Sequence, residues 1–253
     1  MTKELEVDNL TVKIYPDRKN MGEAAALVAA ERIRELLKEQ EQLNMIFAAA
    51  PSQNEFLSAL IQQAGMDWTR INAFHMDEYI GLPAGHKALF SSFLQGKIFN
   101  HLPFRSINYI NGNASDAHQE CERYASLLLQ YPTDIVCMGI GENGHIAFND
   151  PHVADFNDPQ KVKIVDLDHA CRQQQVNDGC FEALDKVPTH AITLTIPALI
   201  VPKHIYCMVP GKNKAMAAKR TLFDSIDEEC PASVLRHHPG AVLFLDEESA
   251  SLI

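Results

Sequence analysis

Ile135-Val136-Cys137-Met138-Gly139-Ile140-Gly141-Glu142-Asn143-Gly144-His145-Ile146-Ala147-Phe148-Asn149-Asp150-Pro151 runs from an apolar stretch into a glycine-rich turn. Ile135, Val136, Met138 and Ile140 form the apolar run of a buried strand. Gly139, Gly141 and Gly144 permit tight or left-handed backbone that other residues resist. The turn presents one histidine, with an amide and a carboxylate close by. Ligands of open α/β sheets bind at the carboxyl ends of strands, so this turn is a candidate site.

The flanking chain fits such a sheet. Leu10–Tyr15 alternates apolar and polar residues as a half-buried strand does. Residues 20–40 carry a helical pattern, with Asn20 as N-cap and Glu23 three residues on. Strands are expected at 45–50, 71–76 (ending in Asp77-Glu78-Tyr79), 107–110, 161–167, 191–195, 204–209 and 241–245. Helices are expected from 51 to about 64 and at 87–99, 115–129, 170–177, 211–224 (after a turn) and 232–236. Strands alternating with helices imply parallel βαβ units. The fold class is therefore α/β: one modified Rossmann-like domain over 1–253, with a mostly parallel sheet and helices on both faces. Residues 150–187 hold little core-forming sequence, and about 152–187 is a candidate lid.

Composition narrows the function. A chain of 253 residues, 46% of them hydrophobic, can bury a sizeable core. The formal net charge of -11 argues against general nucleic-acid or anionic-membrane binding, though not against a local basic pocket. Six cysteines are scattered without a CxxC pair, so neither a zinc site nor a disulfide framework is expected. Residues 1–6 carry acids and no apolar h-region, so no signal peptide is expected, and no apolar run is long enough to span a bilayer. A cytoplasmic location and no membrane partner follow as expectations. A homo-oligomer is also expected, although the residues do not fix its size.

His145 is the leading chemical candidate, because an imidazole exchanges protons near neutral pH. Asp150 could orient its ring. A turn histidine can equally well cap a helix or bond a carbonyl. Asp77 and Glu78 are adjacent strand residues and point to opposite faces. One could enter a site as a general base, yet most such pairs are caps or solvated. Lys161, Lys163 and Lys214 are candidate anion ligands. Lys161 and Lys163 share one face by strand spacing, and Lys214 opens a helix after a strand, where anions bind. Ser52 also follows a strand and opens a helix, a position that serines more often hold as simple N-caps. Phe90, Phe93 and Leu94 have the helical spacing of core residues. Trp68 suits a core or a subunit contact.

Together these motifs resemble the glucosamine-6-phosphate deaminase (isomerase) family. The resemblance rests on Met76-Asp77-Glu78-Tyr79-Ile80-Gly81-Leu82, on Asn111-Gly112-Asn113 and on Gly139 to Asn149. Val187-Pro188 with Ala191-Ile192-Thr193, Gly211 with Lys214, and Pro231-Ala232-Ser233 reinforce it. It extends over nearly the whole chain. The related 6-phosphogluconolactonases share the glycine turn and histidine, but not usually the Asp-Glu-Tyr and Ala-Phe-Asn surroundings.

The resemblance implies conversion of an amino-sugar 6-phosphate to a ketose 6-phosphate plus ammonia, with no cofactor and no metal. It makes Asp77 the base for the C2 proton and His145 the acid/base that opens the pyranose ring. Asn143 and Asp150 become supports of His145. Lys214, Lys163 and Lys161 would hold phosphate or sugar oxygens, and Arg172 would reach the substrate from the lid.

The chain departs from the family pattern in four places. Ala48-Ala49-Ala50-Pro51-Ser52-Gln53-Asn54 replaces a Thr-Gly-Gly-Thr-Pro type phosphate loop, leaving phosphate to Ser52 and Gln53. Gln173-Gln174-Gln175-Val176-Asn177 follows Arg172 where a second arginine is usual. Asp150 stands for glutamate, and Asn143 for aspartate. A sugar-phosphate lactonase and a non-catalytic sugar-phosphate sensor remain alternatives.

Overall fold

The computed structural model describes residues 1–177 and 179–253. The chain opens with β1 (Lys3–Val7) and β2 (Leu10–Tyr15), an antiparallel pair. Helix α1 (Arg18–Glu39) follows, and its N-cap is Asp17, whose carboxylate accepts the Asn20 N–H at 2.8 Å. The helix therefore starts a turn earlier than the Asn20 cap expected from the sequence. A stripe of Ala25, Ala26, Ala29, Ala30 and Ile33 is buried, and these small side chains let α1 lie close on the sheet.

Then come β3 (Leu43–Phe47), a 3-10 turn over Pro51–Gln53, α2 (Asn54–Ile61), β4 (Ile71–His75) and β5 (Asp77–Tyr79). Next are α3 (Phe90–Leu94), which widens into a π-turn to Phe99, β6 (Ser106–Asn108), α4 (Ala117–Gln130) and β7 (Ile135–Met138). The chain continues through β8 (Val162–Asp166), α5 (His169–Asn177), β9 (His190–Leu194), α6 (Ile196–Ile200), β10 (His204–Val209), α7 (Ala215–Phe223) and β11 (Ala241–Asp246).

The main sheet runs β1-β2-β11-β10-β7-β3-β4-β6 and is parallel except for the β1–β2 pair. All four residues of β7 are buried. Ile135 and Cys137 face the core under α1 and α2, while Val136 and Met138 face the core under α4 and α7. Full burial of an aliphatic side chain of this size contributes about 1.5–3 kcal/mol, which is why a strand covered on both faces reads as one apolar run. From β3 the chain works outward through β4 and β6. It then returns to β7 and works the other way through β10 and β11. The strand order thus reverses between β3 and β7, the place where doubly wound sheets bind ligands.

The Asp77-Glu78-Tyr79 stretch does not continue β4, as the sequence had suggested. The chain leaves the main sheet at Met76, and β5 joins a small antiparallel sheet in the order β5-β9-β8. The expected lid segment, 152–187, supplies β8 and α5; Asp178 within it lies outside the described residues. The segment has more core than its composition suggested, since Val162, Val165, Leu167, Cys171 and Val187 are buried. Trp68 is core, packed edge-on against Phe104 at 5.0 Å. Among the described residues, no helix is long and apolar enough to cross a membrane.

Candidate active site

A cavity of about 310 Å³ opens over the carboxyl ends of β4, β3, β7 and β10. Each strand end delivers one stretch of wall: Met76-Asp77, residues 48–52, residues 139–141, and Pro210 with Asn213 and Lys214. Helix α5 adds Gln174 and Gln175. Gln53 ties this floor together: its amide nitrogen donates to the Met138 carbonyl at the end of β7 (3.2 Å) and to Ser52 Oγ (3.1 Å).

The glycine turn holds His145 from several sides. Gly141 N–H donates to the His145 carbonyl (2.9 Å), and Gly144 N–H donates to the Gly141 carbonyl (3.1 Å). Gly144 has φ +92, and Cys230 Sγ sits where a side chain would go. The His145 ring lies flat against Gly141, so a methyl group there would overlap it. Asn143 accepts the His145 N–H through Oδ1 (3.1 Å) and donates through Nδ2 to Asp150 Oδ1 (2.7 Å). His145 Nδ1 is 2.9 Å from the same oxygen, at ion-pair distance but off the line of a straight hydrogen bond. Asp150 is fully buried. Burial alone would push its carboxyl up. The His145 charge beside it and the hydrogen bonds it receives, including that from Asn143, outweigh burial and hold it below the usual carboxylate range. Asp150 is therefore a fixed anion behind the ring.

Asp77 reaches the cavity from the small sheet, where it pairs with Thr193. Burial, reinforced by the Glu78 charge, pushes its carboxyl well above the usual range. A carboxyl of that kind is a strong base once ionised. Glu78 turns the other way and accepts N–H groups of Tyr79 (3.0 Å), Phe90 (3.0 Å) and Ser91 (2.9 Å), capping α3.

Lys214 and Ser52 line the cavity as well, and Lys214 is buried. Its turn is fixed by Asp246, both of whose carboxylate oxygens accept the Gly211 N–H at 3.0 Å. The other three cations expected from the sequence are not brought to this cavity. The Lys163 ammonium is held by the Asp158 carboxylate (2.9 Å) and the Val153 carbonyl (2.6 Å). The Arg172 guanidinium donates to the carbonyls of Leu184 (2.7 Å) and Val187 (3.0 Å). Lys161 precedes β8 and lines no part of the cavity.

Sequence reasoning missed Arg18 and Lys87, which do line it. Arg18 is braced by a two-pronged pair with Glu55 (2.7 and 2.9 Å) and by the Pro51 carbonyl (2.9 Å). Its place in the first turn of α1, just after β2, was the available signal. Phe90 and Phe93, expected only as core, also contribute wall. Among the described residues, no group of three or more His, Cys, Asp or Glu could hold a metal ion.

A strongly basic carboxyl and a carboxylate-backed histidine in one cavity define an acid–base enzyme. The family description Glucosamine-6-phosphate isomerases/6-phosphogluconolactonase matches residues 16–244, and the chain belongs to that family. A glucosamine-6-phosphate deaminase of Bacillus cereus (strain B4264) is 37% identical over 243 residues, covering 96% of this chain and 89% of the relative. Another, from Bacillus cereus (strain G9842), is 38% identical over 230 residues, covering 91% and 86%. The solved structure of a monomeric glucosamine-6-phosphate deaminase, described as the missing link of the NagB superfamily, superposes with TM-score 0.86 at 30% identity, covering 96% of this chain and 99% of that one. A 6-phosphogluconolactonase from Thermotoga maritima shares the fold, with TM-score 0.73 at 20% identity and coverage of 94% and 99%.

Proposed function

We propose that the protein deaminates glucosamine 6-phosphate to fructose 6-phosphate and ammonia. The observation that carries this is the meeting of Asp77 and His145, from different sheets, in one cavity that also holds Lys214. His145, backed by Asp150 and Asn143, delivers a proton to the ring oxygen and opens the pyranose. Asp77 then takes the proton from C2 of the open aldehyde and returns it at C1. The aldehyde carbon becomes the C1 alcohol and the C2 amine becomes an imine. Water adds at C2 and ammonia leaves, so sugar phosphate and one water balance ketose phosphate and one ammonia.

Phosphate is assigned to the cationic end of the cavity. Lys214 and the Ser52 hydroxyl reach it, with Arg18 at the entrance to α1. The N–H groups of Ala49, Ala50 and Ser52 donate to no intramolecular partner among the described residues, and they precede the N-terminus of α2, where an anion is favoured. Backbone donors thus do not need the missing glycines. Residues 152–187 act as the lid over this site, with α5 as its inner face. A cytoplasmic location belongs to the same reading, since the relatives named above are enzymes of sugar-phosphate metabolism.

The test is a screen of amino-sugar 6-phosphates for ammonia release. Release from glucosamine 6-phosphate supports the reading. Hydrolysis of 6-phosphogluconolactone without ammonia release would overturn it in favour of the lactonase, and tight binding without turnover in favour of the sensor.

A further inference from the structure

Helix α5 turns three residues inward: Cys171, Gln174 and Gln175. At spacings of three and four they share one helix face. An inward face is ordinarily apolar, yet two of these three side chains are carboxamides. Gln174 accepts the Glu142 N–H of the glycine turn at 3.1 Å, which fastens α5 beside the His145 turn. Gln175 is only 7% exposed and lines the cavity, and its amide makes no hydrogen bond among the described residues. Cys171, one turn back on the same face, interacts with the Asp150 carboxyl. Gln175 therefore stands one helical turn from Cys171, the α5 residue that meets the histidine's anchor. An unpartnered amide on the cavity wall is free to hydrogen-bond a ligand held there.

The chemistry of the amide narrows that partner. A carboxamide carries two donors and an acceptor and no charge. It suits a neutral hydroxyl, which both donates and accepts, better than a phosphate. The cations that line the cavity (Arg18, Lys87 and Lys214) stand on other elements and leave the lid face for the sugar.

We propose that Gln175 is a substrate-contact and specificity residue that hydrogen-bonds a hydroxyl of the hexose, so that this chain's lid recognises the sugar through a neutral contact. The inference rests on the deaminase reading for its substrate. A site built around a hydroxyl rejects analogues that lack it, because its own polar group is then left unpaired.

The experiment is a thermodynamic cycle. Wild type and Gln175→Met, which keeps the volume and removes the hydrogen bonds, are assayed for kcat/KM on glucosamine 6-phosphate and on its 3-deoxy and 4-deoxy analogues. The expected result is a loss of about tenfold on the parent sugar for the variant, with no loss on one of the deoxy compounds. Thermal unfolding confirms that the variant is folded, and Gln175→Ala repeats the cycle if it is not. Variant activity within about twofold of wild type on the parent sugar, or an equal loss on every compound, would overturn the proposal. If wild type releases no ammonia, the deaminase reading fails by itself. The cycle is then read by calorimetric binding of the same compounds, with the same two contradictory patterns, and binding of none of them also contradicts the contact.

Discussion

Asp77 and Glu78 are consecutive buried carboxyls with opposite assignments: Asp77 lines the cavity, while Glu78 is spent on the Tyr79 N–H and two N–H groups at the start of α3. The strand's alternation separates them, and the Glu78 charge still reaches Asp77 and helps raise it. Removing that charge in Glu78→Gln should lower the Asp77 pKa. A base is active when ionised, so the acid limb of the kcat/KM profile should move to lower pH. The variant should also lose about 1–3 kcal/mol of stability, because one oxygen no longer accepts an N–H. An unmoved acid limb would separate Glu78 from the chemistry.

The same raised pKa has a stability consequence. Folding favours protonated Asp77, so stability is lost as pH rises from the ordinary value of about 3.9 through the folded-state value. Asp77→Asn should therefore be more stable than wild type in mildly alkaline buffer, with the gap closing toward acid. Urea midpoints measured across pH test this. A variant less stable at every pH would mean that Asp77 holds the fold together rather than straining it.

His145 depends on what lies beside and behind it. Asp150→Asn keeps the shape and removes the anion, and should cost about 10²–10⁴ in kcat with a smaller change in KM. Gly141→Ala should cost a comparable amount by displacing the ring, with stability little changed at this turn. Kinetics paired with thermal unfolding decide it. Full activity in Gly141→Ala would show that the ring's place against the turn is irrelevant.

Two of the three cations that line the cavity should differ in weight. Lys214 is buried, so Lys214→Met should raise KM roughly 10–100-fold. Arg18 is exposed and already paired with Glu55, so Arg18→Met should raise KM by only about three- to tenfold. Lys163→Met should leave KM unchanged, since its ammonium is held by Asp158 and the Val153 carbonyl. A large KM increase in Lys163→Met would mean that the lid rearranges when substrate binds.

His75 offers a test of the sheet junction. Ile110 N–H donates to Nε2 (2.9 Å), so Nε2 must accept and Nδ1 must carry the proton that goes to the Asp77 carbonyl (2.8 Å). The ring is neutral, and burial lowers its pKa. Its contribution is complete above the ordinary value of about 6.5 and is lost as pH falls from there toward the folded-state value. His75→Gln should flatten the pH dependence of the urea midpoint below 6.5. An unchanged slope would contradict this assignment.

What the sequence showed and what it hid follow from one distinction. The β7 run and its turn were legible because a strand buried on both faces and a ring seated on glycine leave strong local patterns. Asp77 and His145 were legible as candidates, one from its strand-end position and the other from its glycine turn. The small sheet was not, because nothing at Met76 announces that the chain leaves one sheet for another. The edge strand β1 and the short helix α6 were also missed, being an exposed alternating segment and a single Pro-started turn. Lys163 and Arg172 looked like ligands until Asp158 and two carbonyls claimed them. Arg18 and Gln175 carried no ligand reading, and only three-dimensional closure places them at the cavity. Long-range contacts of that kind have no local signature.

The central claim is that Asp77 is the base of a deaminase. The decisive measurement is ammonia release from glucosamine 6-phosphate by wild type and Asp77→Asn, with ligand affinity measured in parallel by calorimetry. Wild type should release one ammonia for each fructose 6-phosphate formed. Asp77→Asn should bind the sugar phosphate with an affinity within about threefold of wild type and lose roughly 10³-fold or more in kcat. Wild-type turnover by Asp77→Asn would contradict the account.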